Sequence, residues 1–179
     1  MSTKKLLTID FDGVICGTYF PFKIGFNNNF LDSANSPPTA FIPPKIISTP
    51  LDKIRYAARP ILPDVQDALQ ELSITKDLIL LTGRRNSPIN WLKKYNIDTY
   101  FSRIIINNTK FASSHYKLYK ILELNAAYHI DDDAQTVQLI SDSTNCTVFL
   151  RNWKYNQNDN LNKKITKIDS IKQMVKLIN

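Results

Sequence analysis

"LLTIDFDGVIC", residues 6–16, decides how the rest of the chain is read. A largely apolar run ends in Asp10, Phe11 intervenes, and Asp12 and Gly13 come next. Two carboxylates this close repel each other, so a chain that places both at the end of a strand needs a counter-charge there. In open α/β sheets ligands bind at the carboxyl ends of the strands. The residues just after each of the other apolar runs therefore bear on the same question.

Four further runs have the continuous apolar character of parallel strands covered on both faces: "DLILLTG" (77–83), "SRIIINN" (102–108), "AAYHID" (126–131) and "CTVFLRN" (146–152), after "KKLLTID" (4–10). Helical patterns fall between them. "PDVQDALQEL" is expected to start at Pro63 with Asp64 in its first turn, and Val65, Leu69 and Leu72 recur at helical spacing. "SPINWLKKY" offers Ser87 as N-cap, and "SSHYKLYKILEL" groups Tyr116, Leu118, Tyr119 and Leu122 near one face. "DAQTVQLISDS" and the terminal "DSIKQMVKLIN" complete the set. The alternation predicts an α/β fold with a Rossmann-like open parallel sheet and helices on both faces. The whole chain, residues 1–179, reads as a single domain.

Residues 16–60 break this pattern. They hold seven prolines, many asparagines and the aromatics Tyr19, Phe20, Phe22, Phe26, Phe30, Phe41 and Tyr56. A connection this long inside a compact domain is usually functional or disordered, and the aromatics argue against plain disorder. It is read as an inserted loop or small flap over the edge of the sheet, with Lys23, Lys45, Lys53, Arg55 and Arg59 available to a substrate.

Composition narrows the classes. Hydrophobic residues make up 43% and charged residues 22%, which is ordinary for a globular protein. Cys16 and Cys146 suggest neither a disulfide framework nor a zinc site. "MSTKKLL" is too soon interrupted by Asp10 to read as a signal peptide, and no run approaches membrane-helix length, so a cytoplasmic, reduced protein without membrane attachment is expected. Of the formal charge of +7, residues 151–179 contribute 7 basic and 2 acidic side chains. A solvated basic helix is the main expectation for that tail, and nucleic-acid binding the lesser one.

The strand ends carry the chemistry. Strand one ends in Asp10 and Asp12, strand two in Thr82, Gly83 and Arg84, and strand four in Asp131, Asp132 and Asp133, with Lys117 in the helix before it. In a parallel sheet these groups share one rim. So many carboxylates require a counter-charge, and a hard divalent cation such as Mg²⁺ supplies it. One carboxylate of the opening pair is then available as a nucleophile while its neighbour moves protons. Arg84 and Arg85 are candidates for contact with an anionic substrate; His115 and His129 read as structural.

In this order and spacing the segments resemble the haloacid-dehalogenase-like (HAD) hydrolase superfamily over about residues 4–150. "DFDGV" (10–14) looks like its first motif, "LLTG" (80–83) its second, "SSHYK" (113–117) its lysine motif and "HIDDD" (129–133) its fourth. The resemblance implies Asp10 as nucleophile, Asp12 as general acid/base, Thr82 as phosphoryl ligand and Lys117 as the fixed cation. It implies Mg²⁺ held by Asp10, the backbone carbonyl of Asp12, and Asp132 or Asp131. Gly83 and Arg84 are added as substrate-binding candidates. The fourth motif departs from the usual pattern, because Gln135 and Thr136 stand where many members place a second acid. Lys110 and Lys120 also lie close enough to compete for the lysine role.

The expectation is a Mg²⁺-dependent phosphatase with a small or absent cap, acting on a phosphorylated small molecule or nucleotide. A dehalogenase of the same fold is the rival enzyme, disfavoured by Asp12. A non-catalytic phosphate- or metal-binding module is the rival from another class.

Overall fold

The computed structural model describes residues 4–17 and 59–179. Strand β1 (Lys5–Ile9) leads to helix α1 (Val65–Thr75), β2 (Lys76–Thr82), α2 (Ile89–Lys94), a short 3₁₀ turn at Asp98–Tyr100, β3 (Arg103–Ile106) and α3 (Ser113–Leu124). Then come β4 (Tyr128–Asp131), α4 (Ala134–Ser143), β5 (Thr147–Arg151), β6 (Thr166–Ile168) and α5 (Ile171–Ile178). The six strands form one sheet in the order β3-β2-β1-β4-β5-β6, and every pairing is parallel. The strand order reverses direction at β1, so the first Asp-x-Asp lies at the crevice where such sheets bind ligands.

Strand alternation divides the core in two. Leu7 and Ile9 of β1 join Leu78, Leu80, Ile130 and Phe149 under α1, α2 and α5. Leu81, Val148 and Leu150 face the other way, against Tyr116 and Ile121 of α3 and Val137 and Ile140 of α4. The strands between these layers are buried on both faces, which is why they read as near-continuous apolar runs. Thr8 pairs in register with His129, and both lie opposite the Leu7–Ile9 face. Two residues on, side chains return to the same face. Asp10 and Asp131 therefore emerge abreast.

Two local expectations are corrected, and one strand is added. Helix α1 begins at Val65, not Pro63, after Asp64 in a left-handed conformation (φ 62°) that makes no side-chain cap. Leu62 N–H donates to Ile15 O at 3.0 Å, which keeps residues 60–62 extended and delays the helix. On α3 the buried residues are Ser114, Tyr116, Lys117 and Ile121, while Tyr119 and Leu122 are more than half exposed, at 51% and 53%. The cause is Lys117: turning its ammonium toward buried carboxylates sets the phase of the helix against its apolar pattern. The sixth strand, β6, is absent from the sequence reading, because "TKI" is too short and too polar to signal one.

The predicted insertion lies mostly outside the described residues, including Lys23, Lys45, Lys53 and Arg55. Its two ends are described and lie side by side. Gly17 N–H donates to Pro60 O at 3.0 Å, and Cys16 bridges Ile61 in antiparallel fashion. The segment thus leaves and re-enters the domain at one place, beside the end of β1. Among the described residues no helix is long and apolar enough to cross a membrane.

Candidate active site

After β1 the chain makes a tight turn. The N–H groups of Ile15 and Cys16 both donate to Phe11 O at 3.1 Å, and Gly13 N–H donates to Cys16 O at 2.9 Å. Gly13 sits at φ +68°, a conformation open to glycine. A Cβ there would collide with the Asp132 carboxylate, the Asp132 Cβ itself lying only 2.9 Å away. The glycine is therefore required twice, for its dihedral and for the close approach of the β1 and β4 turns.

Asp10 is 3% exposed and lies against Lys117, whose Nζ is 2.8 Å from Asp10 Oδ1 and 2.7 Å from Asp131 Oδ2. Lys110 and Lys120 are elsewhere; Lys120 pairs with Glu123 on the surface at 2.7 Å. Asp131 is fully buried, and accepts from Asp133 N–H at 3.0 Å as well as from Lys117. His129 Nε2 stands 3.3 Å from the same carboxylate, and its Nδ1 is 2.9 Å from Thr8 Oγ1. Both ring nitrogens are thus engaged, a structural role. Asp133 caps α4, accepting from Thr136 N at 3.2 Å and Oγ1 at 2.6 Å.

One buried lysine faces several carboxylates, and this sets the charge balance. Burial pushes the Asp10 carboxyl well above its ordinary range; Lys117 opposes this, while Asp131, Asp12 and Asp132 add to it. For Asp131 burial is outweighed by Lys117 and His129, which hold it well below the usual carboxylate range. Burial would lower Lys117, but Asp10 and Asp131 raise it strongly, so the ammonium stays charged. Burial and the Asp131 charge push Asp132 up to about 7, against a lowering hydrogen bond from Tyr155.

Asp10, Asp131 and Asp132 each offer an oxygen within 4.8 Å of the others. Oxygen-only donors, an excess of negative charge and a glycine cradle that a Cβ would fill together fit a hard divalent cation. Asp131 is already committed to Lys117 and His129, whereas Asp132 is only partly buried and stands against Gly13.

Asp12 is held differently. Arg84 donates to both of its oxygens, through Nε at 2.5 Å and Nη2 at 2.6 Å, and Arg59 donates through Nη1. Burial alone would raise this carboxyl; the two guanidiniums reverse that and hold it below its ordinary value. Arg84 is thus directed at Asp12 rather than left solvated. Arg85 is tied to the loop after β3, donating to Asn107 O and Oδ1 at 3.1 Å and to Phe111 O at 3.2 Å. Thr82 is 1% exposed and accepts from Arg84 N–H at 3.3 Å, so its hydroxyl proton is directed elsewhere. Gly83 has a packing reason: a Cβ would meet the Ser113 side chain, with Ser113 Cβ at 2.6 Å. That contact seats the start of α3 against the end of β2, four residues before Lys117.

Several side chains at the rim carry no clear signal in the sequence. Arg59 stands there only among the insertion's cations; its carbonyl accepts from Trp91 Nε1 at 3.0 Å and Tyr95 OH at 3.3 Å, which anchors it to α2. After β5, Trp153 Nε1 donates to Gly13 O at 2.8 Å, Tyr155 OH donates to Asp132 Oδ2, and the fully buried Asn156 donates to Asp132 O at 2.8 Å. "RNWKYNQN" has no local pattern that announces these contacts.

The sequence matches no family model and no curated protein. Solved structures do resemble it. A HAD phosphatase from Thermococcus onnurineus superposes with a TM-score of 0.66 at 16% identity, covering 98% of each chain. A haloacid-dehalogenase-like hydrolase from Streptococcus pneumoniae gives 0.64 at 14% identity, covering 98% of this chain and 99% of that one. A 2-haloacid dehalogenase from Pseudomonas syringae gives 0.59 at 13%, covering 98% of each. The chain has the HAD-like fold.

Proposed function

We propose that this HAD-fold chain is a Mg²⁺-dependent phosphohydrolase that cleaves a phosphomonoester through an aspartyl-phosphate on Asp10. The observation that carries the reading is the placement of Asp10: a buried carboxylate against Lys117, at the strand-order reversal, within metal-sharing distance of Asp131 and Asp132. Asp10, Asp132 and Asp131 are the side chains that would hold the ion, which when bound offsets the charge of both nucleophile and phosphoryl group.

An Asp10 carboxylate oxygen attacks phosphorus and the bond to the leaving oxygen breaks. Asp12 enters this half in its protonated form and supplies the proton that this oxygen takes up. In the second half Asp12 takes a proton from water, the water oxygen attacks phosphorus, and the bond to Asp10 breaks to release inorganic phosphate. Lys117 stays charged throughout, and the Thr82 hydroxyl donates to a phosphoryl oxygen in this reading. Arg84 and Arg59 favour the ionised form of Asp12, the form required by the second half. A substrate that brings its own negative charge competes for those guanidiniums and loosens their hold for the first half.

A phosphorylated small molecule is the substrate class this favours, and a reducing compartment suits the two free thiols, Cys16 and Cys146. Dehalogenase chemistry on the same fold would use Asp10 but has no work for Asp12, whose carboxylate two arginines hold at the rim. The test is a panel of phosphate esters and 2-haloacids, assayed with Mg²⁺ and with excess chelator. Phosphate release that needs Mg²⁺ supports the reading. Halide release, or phosphate release undiminished by chelator, overturns it.

A further inference from the structure

The segment after β5 contacts both turns that build the candidate metal centre. Asn156 organises it: buried to 0% exposure, its Nδ2 donates to Arg151 O and Asp132 O, both at 2.8 Å, and its Oδ1 accepts from Trp153 N–H at 2.7 Å. That fold of the loop sends two aromatic side chains back to the rim, their rings nearly parallel at 8° and 6.3 Å apart. Trp153 reaches the main chain of the β1 turn through Gly13 O at 2.8 Å, and Tyr155 reaches the carboxylate of Asp132. Of the acids near the ion site, Asp131 is fixed by Lys117 and His129, and Asp10 by Lys117. The Asp132 carboxylate is gripped instead by Tyr155, and it lies in the close approach to Gly13.

We propose that Tyr155 is a positioning residue for a divalent cation: its hydroxyl, aimed by the Asn156-centred loop, fixes the carboxylate of Asp132 so that this side chain can serve as a ligand. The inference rests on the metal-dependent reading above and adds to it a residue that lies outside the four motifs. A carboxylate gripped at one oxygen has fewer orientations open to it, and a small hard cation with strict geometry binds best to ligands that are already oriented. Asn156 and Trp153 serve the same end through the backbone, by holding the β4 and β1 turns at a constant separation.

The experiment measures Mn²⁺ binding to the full chain by the electron paramagnetic resonance signal of the free ion, without reference to turnover. Parent, Tyr155→Phe, Asp132→Asn and the double variant are compared, with circular dichroism of each metal-free protein as the check on folding. Loss of an outer partner of a metal ligand typically costs about 10–100-fold in affinity, and Tyr155→Phe is expected to lose affinity in that range while staying folded. In the Asp132→Asn background the same change should have no further effect, because its route to the ion is already gone. A merely structural tyrosine would lower the unfolding midpoint and leave the dissociation constant where it was. An affinity within twofold of the parent, an added loss in the Asp132→Asn background, or a Tyr155→Phe chain that does not fold would each overturn the proposal. A parent that binds no Mn²⁺ would overturn the metal reading itself, whereas a parent and Tyr155→Phe that bind equally well would overturn only the role of Tyr155.

Discussion

Replacing Lys117 by Met removes one charge and keeps most of the side-chain volume. The Lys117 side chain is 4% exposed and its ammonium bridges Asp10 and Asp131, whose side chains are 5% and 0% exposed. At about 2.8 Å and an effective dielectric constant near 20, each contact is worth roughly 6 kcal/mol before desolvation is subtracted. Measured losses on breaking buried ion pairs are smaller, about 3–5 kcal/mol, because the orphaned charge relaxes or takes a proton. For a chain of this size about 1 kcal/mol moves the midpoint by roughly 2–4 °C, so the metal-free variant should melt about 6–20 °C below the parent. The dependence on pH has a definite sign. Asp131 is held low in the folded parent, so its contribution is present above the ordinary carboxylate range and lost as pH falls through the folded value. The gap between the two proteins should therefore narrow as the pH falls below the ordinary carboxylate value, where the parent loses the Asp131 contribution. Thermal unfolding monitored by circular dichroism, in chelator and at several pH values, is the assay. A midpoint difference under about 2 °C at pH 7, or a gap that does not change with pH, would refute the view that Lys117 is the counter-charge of a buried carboxylate pair.

The same geometry sets other outcomes. Asp10→Asn should abolish turnover and form no phosphoenzyme, whereas Asp12→Asn should slow an alkyl phosphate by about 10²–10⁴-fold and a nitrophenyl phosphate less; rapid-quench labelling separates the two. Gly13→Ala must adopt a left-handed conformation, at a cost of about 1–2 kcal/mol, and displace Asp132, so both the melting midpoint and the Mn²⁺ affinity should fall. Burial pushes Cys16 up from 9.0 to about 12, which leaves roughly a thousandfold less thiolate at pH 8 than an ordinary thiol has. A disulfide reagent should therefore react slowly with Cys16 of the native protein and rapidly once it is unfolded, and fast native labelling of Cys16 would contradict that burial.

The sheet was legible because its cause is local. Leu7, Ile9, Leu78, Leu80, Ile130 and Phe149 belong to runs buried on both faces, and such runs are apolar throughout whatever their neighbours are. The adjacency of Asp10, Asp12 and Gly13 was equally visible, since the turn they form closes within a few residues. Other features depend on distant parts of the chain. Which of Lys110, Lys117 and Lys120 turns inward is a matter of helix phase. Apolar spacing points α3 toward Tyr119 and Leu122, but two buried carboxylates need a cation more than those side chains need cover, and the ion pair sets the rotation. Arg59 reaches Asp12 across 47 positions and Tyr155 reaches Asp132 across 23. Contacts over such separations leave no periodic trace in composition or spacing. Sequence by itself determined the layers of this protein and the strand ends where carboxylates gather; only the tertiary structure decided how those carboxylates are paired and aimed, because side-chain hydrogen bonds and ion pairs form between segments that the fold, not the chain, makes neighbours.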